Sequence, residues 1–119
     1  MGLSLSNGDS ISLLDTKSKS EHVWANVLHP DGTHTIVEVT PLAAGASDFW
    51  TSPDTGVRYP THWKITIPGL HAELDVTAIT ENQELVTVGS RYEGIATVTG
   101  TYEGRRVTGY TYVEQVGMK

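Results

Sequence analysis

The stretch from residue 62 to residue 78, HWKITIPGLHAELDVTA, decides the fold class. Apolar residues occupy every second position on either side of Pro68 and Gly69: Trp63, Ile65 and Ile67 before them, and Leu70, Ala72, Leu74, Val76 and Ala78 after them. A period of two gives a strand one dry face and one wet face. The stretch therefore predicts two half-buried β-strands.

The same strand signal continues toward both ends of the chain. Asn7-Gly8-Asp9 predicts a tight hairpin turn, because Asn-Gly supplies the positive φ angles that such turns need. Pro30-Asp31-Gly32-Thr33 predicts a second turn, and Glu103-Gly104 a third. Further strands are predicted at residues 3–6, 10–14, 22–29, 34–40, 84–88, 92–99 and 105–114. Apolar residues nowhere follow the spacing of a helix for two turns, so helix should be minimal.

About nine short strands without helical crossovers predict an all-β fold. An antiparallel up-and-down β-barrel of eight or nine strands is the natural way to remove exposed sheet edges. Residues 41–60 lose the alternation and collect Gly, Ser and Pro. We expect a long loop there, pinned by its aromatic residues, that closes a site or packs against a neighbour.

Composition limits the partners and the compartment. The 119 residues suit one domain, 1–119, and the net charge of −6 argues against nucleic acid as a partner. The chain has no Cys, so thiol chemistry is excluded. Its apolar runs fall short of the roughly 20 residues of a membrane span. No cleavable signal precedes Leu3, and we expect a cytoplasmic location.

No pattern in the sequence predicts a metal or a cofactor. The five histidines, His22, His29, His34, His62 and His71, form no H-x-H or H-x-x-x-H pair. His29 and His34 could still approach each other across the second hairpin. P-loop, dinucleotide and G-x-S-x-G motifs are missing from the sequence. We therefore expect neither a metal nor a cofactor.

Two carboxylates in aromatic surroundings, Glu93 and Glu114, are candidate acids. A carboxyl group inside a barrel has its pKa raised by desolvation and can donate a proton near neutral pH. Tyr110 and Tyr112 share the Glu114 face of the last strand, which forms either a polar-tipped cavity or the outside of the barrel. The alternative for each Glu is an ion pair with a neighbouring arginine or a place on the outer wall.

Large aromatic residues form a second group of candidates, comprising Trp24, Trp50, Tyr59 and Trp63. Such residues are core material by default. Trp50 and Tyr59 lie in the expected loop, where aromatics either plug a barrel end or contact a ligand or partner.

Four segments, in order, resemble one known family. Residues 50–65, WTSPDTGVRYPTHWKI, match the pattern W-x-S-x-x-[ST]-G-x-x-Y-P-x-x-W-x-[IL] of the hydroxyneurosporene synthase, or AttH-like, lipocalin family. Residues 82–85, NQEL, resemble its D-Q-E-L, and residues 91–94, RYEG, resemble its Y-W-E-G. Gly109 with residues 112–114 and Gly117 resembles the closing G-x-G-Y-V-E-L-T-G. The opening residues 3–8 also resemble the hairpin that begins the family's second domain.

The resemblance implies a lipocalin-like barrel equivalent to the second, carboxy-terminal domain of a two-domain family. Its members include carotenoid and kievitone hydratases and fungal cyclases of the Diels–Alder type. It implies a cofactor-independent enzyme of secondary metabolism that cyclises, hydrates or isomerises a hydrophobic polyketide, polyene or terpenoid chain. Glu93, Glu114, Tyr110 or Tyr112 would supply the acid or hydrogen-bond donor, while Trp50, Tyr59, Trp63 and Trp24 would contact the ligand.

A second function remains open beside the enzyme. A lipocalin-like domain can bind a hydrophobic small molecule without catalysis, or support a catalytic partner. In either case a second lipocalin-like domain or a second copy of the chain is a possible partner.

Overall fold

The computed structural model describes residues 1–14, 23–40, 45–86 and 91–116, and these form an almost entirely β structure. The strands are Gly2–Leu5 (β1), Ser10–Leu14 (β2), Val23–Leu28 (β3), His34–Val39 (β4), Ala46–Thr51 (β5), Arg58–Ile67 (β6), Ala72–Ala78 (β7), Glu84–Leu85 (β8), Arg91–Tyr102 (β9) and Arg105–Val116 (β10). A 3-10 turn at Pro68–Leu70 links β6 to β7. The predicted all-β class is confirmed.

All strands belong to one antiparallel sheet with the order β4-β3-β2-β1-β10-β9-β7-β6-β5, and the short β8 pairs with β9. Strands β1–β4 form one meander and the later strands form another. The pairing of β1 with β10 joins the two, with Gly2 opposite Tyr112 and Leu5 opposite Gly109. Because the first and last strands are neighbours, the sheet is continuous across the molecule.

The sheet curls around an apolar interior. Side chains alternate in and out along each long strand, as the burial of β6 and β9 shows. The inner face carries Leu3, Ile11, Val27, Val39, Ile65, Leu74, Val98 and Val113, all almost fully buried. The alternation predicted for residues 62–78 is confirmed, and Trp63, Ile65 and Ile67 point inward. Burial of apolar side chains on one face drives the curl.

The curl brings the first meander back against the second. The backbone N–H of Thr40, just after β4, donates to the carbonyl of Thr66 in β6 at 3.0 Å. Gly69 of the 3-10 turn faces Val37, and the space that a Cβ atom would take there lies 3.6 Å from Val37 Cγ1. β4 and β5 form the two ends of the strand order, so the structure is a curled half-barrel.

The prediction of a long loop at residues 41–60 is wrong for residues 45–60, the part of this segment that the structure describes. Residues 46–51 form β5, β6 begins at Arg58, and the turn between them closes with a hydrogen bond from Ser52 N–H to the Val57 carbonyl at 2.9 Å. β5 pairs with β6 at the end of the strand order, and none of its six residues is fully buried: three are partly buried and three are exposed. Partial burial on both faces hides the alternation that marks the other strands. Residues 41–44 lie outside the described residues.

No helix long and apolar enough to cross a membrane occurs in residues 1–14, 23–40, 45–86 and 91–116.

At Gly109 the backbone of β10 approaches that of β1 closely. A Cβ atom at this position would lie 2.0 Å from the Ser4 carbonyl oxygen, and the backbone of β1 cannot move away without breaking its pairing. The absence of a side chain at Gly109 is therefore a condition of the pairing of the first and last strands.

We expect Gly109→Ala to lower the free energy of unfolding by about 1–3 kcal/mol or more, as overpacking against backbone does. The measurement is urea denaturation followed by circular dichroism. Gly2→Ala is the matched control, because nothing lies within 4 Å of a Cβ atom at Gly2 in the same strand pair. Equal stability of the two variants would contradict this account of Gly109.

Candidate functional site

The four candidate acids and donors lie together on the outer face of the sheet, which we call the tyrosine face: Tyr110 and Tyr112 of β10, with Glu93 and Glu114. Glu114 lies directly opposite Glu93, and Tyr112 lies opposite Ile95. Tyr110 and Tyr112 are 66% and 48% exposed. The sequence left two locations open for this face, a polar-tipped cavity or the outside of the barrel. In the structure the face lies on the outside. Glu93 and Glu114 thus take the outer-wall position given as the alternative, and their role as acids stays a prediction.

A shallow groove of about 590 Å³ crosses the tyrosine face. Tyr110 and Tyr112 border it on β10, and Ile79 and Ile95 form its apolar wall. Its floor includes Gly2, whose lack of a side chain leaves space beside Tyr112. The groove thus combines apolar surface with two phenol hydroxyls.

Charges at the edge of the groove act on Tyr112. The Tyr112 hydroxyl donates to Glu93 Oε2 at 3.5 Å, and Arg91 Nη1 lies 3.7 Å from Glu93 Oε1. Partial desolvation, followed by the negative charges of Glu93 and Glu114, raises the pKa of Tyr112. The phenol therefore stays protonated at neutral pH and can donate a hydrogen bond. Glu93 has an arginine partner, as the ion-pair alternative anticipated.

A separate aromatic cluster closes one end of the interior. Tyr59 stacks on Trp50 with ring centroids 6.2 Å apart, and Tyr92 lies 5.1 Å from Tyr59. Tyr59 and Tyr92 are fully buried and pack with Val57. Of the two roles considered for Trp50 and Tyr59, this arrangement resembles a plug at the barrel end. Their role in ligand binding stays a prediction.

Glu84 connects this cluster to the β5–β6 turn. Its Oε2 accepts hydrogen bonds from the Tyr59 hydroxyl at 2.6 Å and the Thr55 hydroxyl at 2.8 Å, while its Oε1 accepts from the Ser52 hydroxyl at 2.5 Å. Ser52 Oγ in turn accepts from the backbone N–H groups of Asp54 and Thr55, each at 3.2 Å. One carboxylate thus holds three hydroxyls from a single turn and the strand that follows it.

The hydrogen bonds control the protonation of both partners. Burial works to raise the pKa of Glu84, but the hydroxyls of Ser52, Tyr59 and Thr55 outweigh it and hold this pKa below its usual value. Burial and the bond to Glu84 raise the pKa of Tyr59 well above that of a free phenol. Both groups therefore keep the charge states that the network needs over a wide pH range.

The role of Glu84 is not evident from the sequence. Residues 82–85 resemble D-Q-E-L, but that resemblance does not connect the Glu84 carboxylate with Ser52, Thr55 and Tyr59, which lie 25 to 32 residues away in the chain. The sequence signal that could have indicated this contact is the presence of Glu84 in one family motif and of Ser52, Thr55 and Tyr59 in another.

The other two tryptophans lie apart from each other. Trp63 is buried in the interior, and Trp24 is 53% exposed on β3, opposite Glu38. Trp63 therefore points away from the tyrosine face, which lies on the outside of the sheet. Their contact with a ligand stays a prediction.

Three of the five histidines, His29, His34 and His62, have hydrogen-bond partners on neighbouring strands and turns. His34 Nδ1 lies 3.1 Å from Asn26 Oδ1, whereas His29 contacts Asp9 and Thr35. His62 lies between Ser47 and Asp75, at 3.0 and 3.1 Å. Within the described part of the chain, no three His, Asp or Glu side chains are placed to hold a metal ion. His22 lies outside the described residues.

Comparison with protein families matches residues 1–118 to the family described as AttH-like. The chain belongs to the AttH-like family. No curated protein matches the sequence. The motif spanning residues 50–65 therefore has a structural meaning in this AttH-like chain, because its Ser52, Thr55 and Tyr59 all bind Glu84 of the motif at 82–85.

Two solved structures share the fold. Kievitone hydratase from Nectria haematococca superposes with a TM-score of 0.74 at 24% identity, over 98% of this chain and 37% of that one. A putative AttH protein from Nitrosomonas europaea gives a TM-score of 0.73 at 18% identity, over 99% of this chain and 38% of that one. The chain thus spans less than two fifths of the length of either structure.

We expect Glu84→Gln to destabilise the protein by about 1–3 kcal/mol, since an amide accepts fewer and weaker bonds from three hydroxyls. The effect should depend on pH. The Glu84 pKa is lowered in the folded state, so its contribution is present above the ordinary carboxyl value of about 4.5 and disappears as pH falls through the folded pKa.

Thermal denaturation from pH 3 to pH 8 tests this expectation, with Glu73→Gln as the control for removing a charge from an exposed strand position. The melting temperatures of wild type and Glu84→Gln should converge at the acid end. A constant difference across the whole range would show that the charge of Glu84 is not what stabilises the turn.

Proposed function

We propose that the tyrosine face forms one wall of a site that acts on a hydrophobic polyketide, polyene or terpenoid chain, in a cofactor-independent hydratase or cyclase. The observation that carries the proposal is the groove between Tyr110, Tyr112, Ile79 and Ile95. It joins the apolar contact area of Ile79 and Ile95 to the hydroxyl groups of Tyr110 and Tyr112.

The packing of the interior supports an outer site. Small lipocalin-like barrels can hold a ligand in the lumen, but here side chains such as Leu3, Val27, Leu74 and Val98 occupy the inside of the curl. Exposed Ile79 and Ile95, by contrast, lie side by side, because the Ile79 N–H donates to the Ile95 carbonyl at 3.1 Å. A contiguous exposed apolar patch of this kind is typical of a ligand or partner surface.

The chemistry available in the groove is hydrogen-bond donation and proton transfer. A phenol that remains protonated can polarise a substrate carbonyl, and Glu93 or Glu114 can exchange a proton with a nearby double bond or hydroxyl. A cyclisation that needs no nucleophile also gains from a surface that holds an apolar chain in a reactive conformation. The hydratase among the structural neighbours makes hydration the first reaction to test.

We further propose that a second lipocalin-like unit completes the pocket. The structural neighbours are more than twice as long as this chain, and the groove is shallow, so a hydrophobic chain in it would remain half in water. This chain would correspond to the second domain of the two-domain arrangement. The complementary wall would come from another domain or from a second copy.

Binding to the groove can be tested with diphenylhexatriene, an apolar polyene whose fluorescence rises when it leaves water. We expect Ile95→Asp to weaken its binding by about tenfold or more, since a charge replaces apolar contact area. Ile36→Asp is the matched control, because Ile36 is also exposed on an outer strand face. Equal binding by the two variants would place the apolar ligand elsewhere.

Catalysis can be tested separately. A substrate is first sought by mass spectrometry of metabolites from cells with and without the gene, and an unchanged profile would oppose the biosynthetic role. With that substrate, Tyr112→Phe should lower kcat by about 10²–10³-fold, as loss of a positioned hydrogen-bond donor does. Tyr92→Phe removes the same atom from the interior and serves as the control.

The exposed position of the groove also favours the second candidate, a domain that binds a hydrophobic molecule without reacting with it. In that case Tyr112→Phe, Glu93→Gln and Glu114→Gln leave any product formation by a catalytic partner unchanged, while Ile95→Asp still weakens binding about tenfold or more. The two sets of variants therefore separate catalysis from binding.

A further inference from the structure

We propose that a second cavity, at the opposite end of the interior from the aromatic cluster, binds the phosphate or carboxylate group of a small molecule. The β1–β2, β3–β4 and β9–β10 turns meet there and enclose about 560 Å³. We call it the turn-end cavity. It is separate from the tyrosine face, so the proposal does not depend on the function proposed above.

The carboxylate of Asp9, which lines the cavity, already has hydrogen-bond partners within the protein. Asp9 is 7% exposed, and its Oδ2 accepts a hydrogen bond from the Tyr102 hydroxyl at 2.6 Å. His29 Nδ1 lies 3.1 Å from its Oδ1. Burial and the bond to Asp9 raise the pKa of Tyr102, so this phenol remains a donor. The oxygens of Asp9 thus face partners that satisfy them, which reduces repulsion of an anion in the cavity.

The same contacts fix the wall of the cavity. His29 Nε2 lies 2.8 Å from Thr35 Oγ1, so both ring nitrogens of His29 have partners on different strands or turns. The link from Tyr102 through Asp9 and His29 to Thr35 spans β9, the β1–β2 turn and the β3–β4 hairpin. A rigid wall lowers the entropic cost of ordering a ligand.

Asn7 offers a donor to the cavity. Its Oδ1 accepts the Asp9 backbone N–H at 2.9 Å, which orients the side-chain amide. Because the oxygen is held by the turn, the NH₂ group is the part of Asn7 that remains for a ligand. Asn7 lines the turn-end cavity.

Two consecutive arginines, Arg105 and Arg106, line the cavity beside Asn7. They are two of the eight Lys and Arg residues in a chain of net charge −6, and neither forms an ion pair with another residue that the structure describes. Guanidinium groups bind carboxylate and phosphate through paired hydrogen bonds. Glu103 and Asp9 also line the cavity, so its two guanidinium groups face two carboxylates, of which Asp9 already accepts the Tyr102 hydroxyl and contacts His29.

Isothermal titration calorimetry with inorganic phosphate, and separately with succinate, tests the proposal. We expect millimolar or tighter binding of at least one of the two. Asn7→Asp keeps the oxygen that the Asp9 N–H needs but replaces the amide donor with a charged acceptor. We expect it to weaken binding by about tenfold or more, a factor that corresponds to one charge-assisted bond.

Asn26→Asp is the matched control, because it makes the same chemical change on the outer face of β3, next to His34. Arg105→Gln with Arg106→Gln should also weaken binding about tenfold or more, whereas Arg58→Gln, which removes a cation lying over the Phe49 ring, should not. Thermal denaturation of each variant verifies that it is folded.

The outcomes distinguish a phosphate ligand from a carboxylate ligand, and they also show whether the proposal is wrong. Phosphate binding without succinate binding identifies a phosphate compound, and the reverse identifies a carboxylate. Absence of binding by both anions overturns the proposal. Equal losses in Asn7→Asp and Asn26→Asp also overturn it, because they indicate attraction by overall charge rather than a site. Neither result bears on diphenylhexatriene binding to the tyrosine face.

Discussion

The pairing of β1 with β10 is the constraint on which the rest of the structure depends. Without it the chain would form two meanders, each with an edge of unpaired backbone groups and an uncovered apolar face. The register of this pair also places Gly2 beside Tyr112 and so creates the floor of the groove. At Gly109 the two backbones approach so closely that a side chain has no room. A single strand pair thus fixes both the closure of the interior and the shape of the outer face.

The interior of the molecule supplies apolar packing, whereas the candidate ligand surfaces lie outside it. Apolar residues occupy the inside of the curl, and its two ends are closed by polar contacts of different composition. Glu84 with the Tyr59 hydroxyl closes one end, and Asp9 with the Tyr102 hydroxyl closes the other. The candidate ligand surfaces therefore lie outside this packed core, on the tyrosine face and in the turn-end cavity. This arrangement lets ligand chemistry vary while the core keeps its packing.

Much of the fold follows from local sequence, and the exceptions have physical causes. The Asn7-Gly8 turn and the alternation around Pro68 depend on neighbouring residues, which the sequence displays directly. β5 escaped prediction because partial burial on both faces leaves no period-two pattern. For β10 the alternation correctly grouped Tyr110 with Tyr112, but a period of two does not tell which group faces the interior. Contacts between distant segments, such as Glu84 with Ser52, depend on the folded sheet and have no local signature.

The contacts that close the two ends of the core are of the same kind: a tyrosine hydroxyl donates a hydrogen bond to a carboxylate. Such a bond is lost both when the pH falls and the carboxylate is protonated, and when the pH rises and the phenol is deprotonated. Acid protonates Glu84 and weakens its hold on Tyr59, whereas alkali removes the proton that Tyr59 or Tyr102 donates. Because the pKa values of both tyrosines are raised in the folded state, their contribution is complete below the ordinary phenol value of about 10 and declines as pH rises through the folded value. The same pair of atoms thus sets an acid and an alkaline boundary for the folded protein, and strong alkali would loosen both ends of the core together.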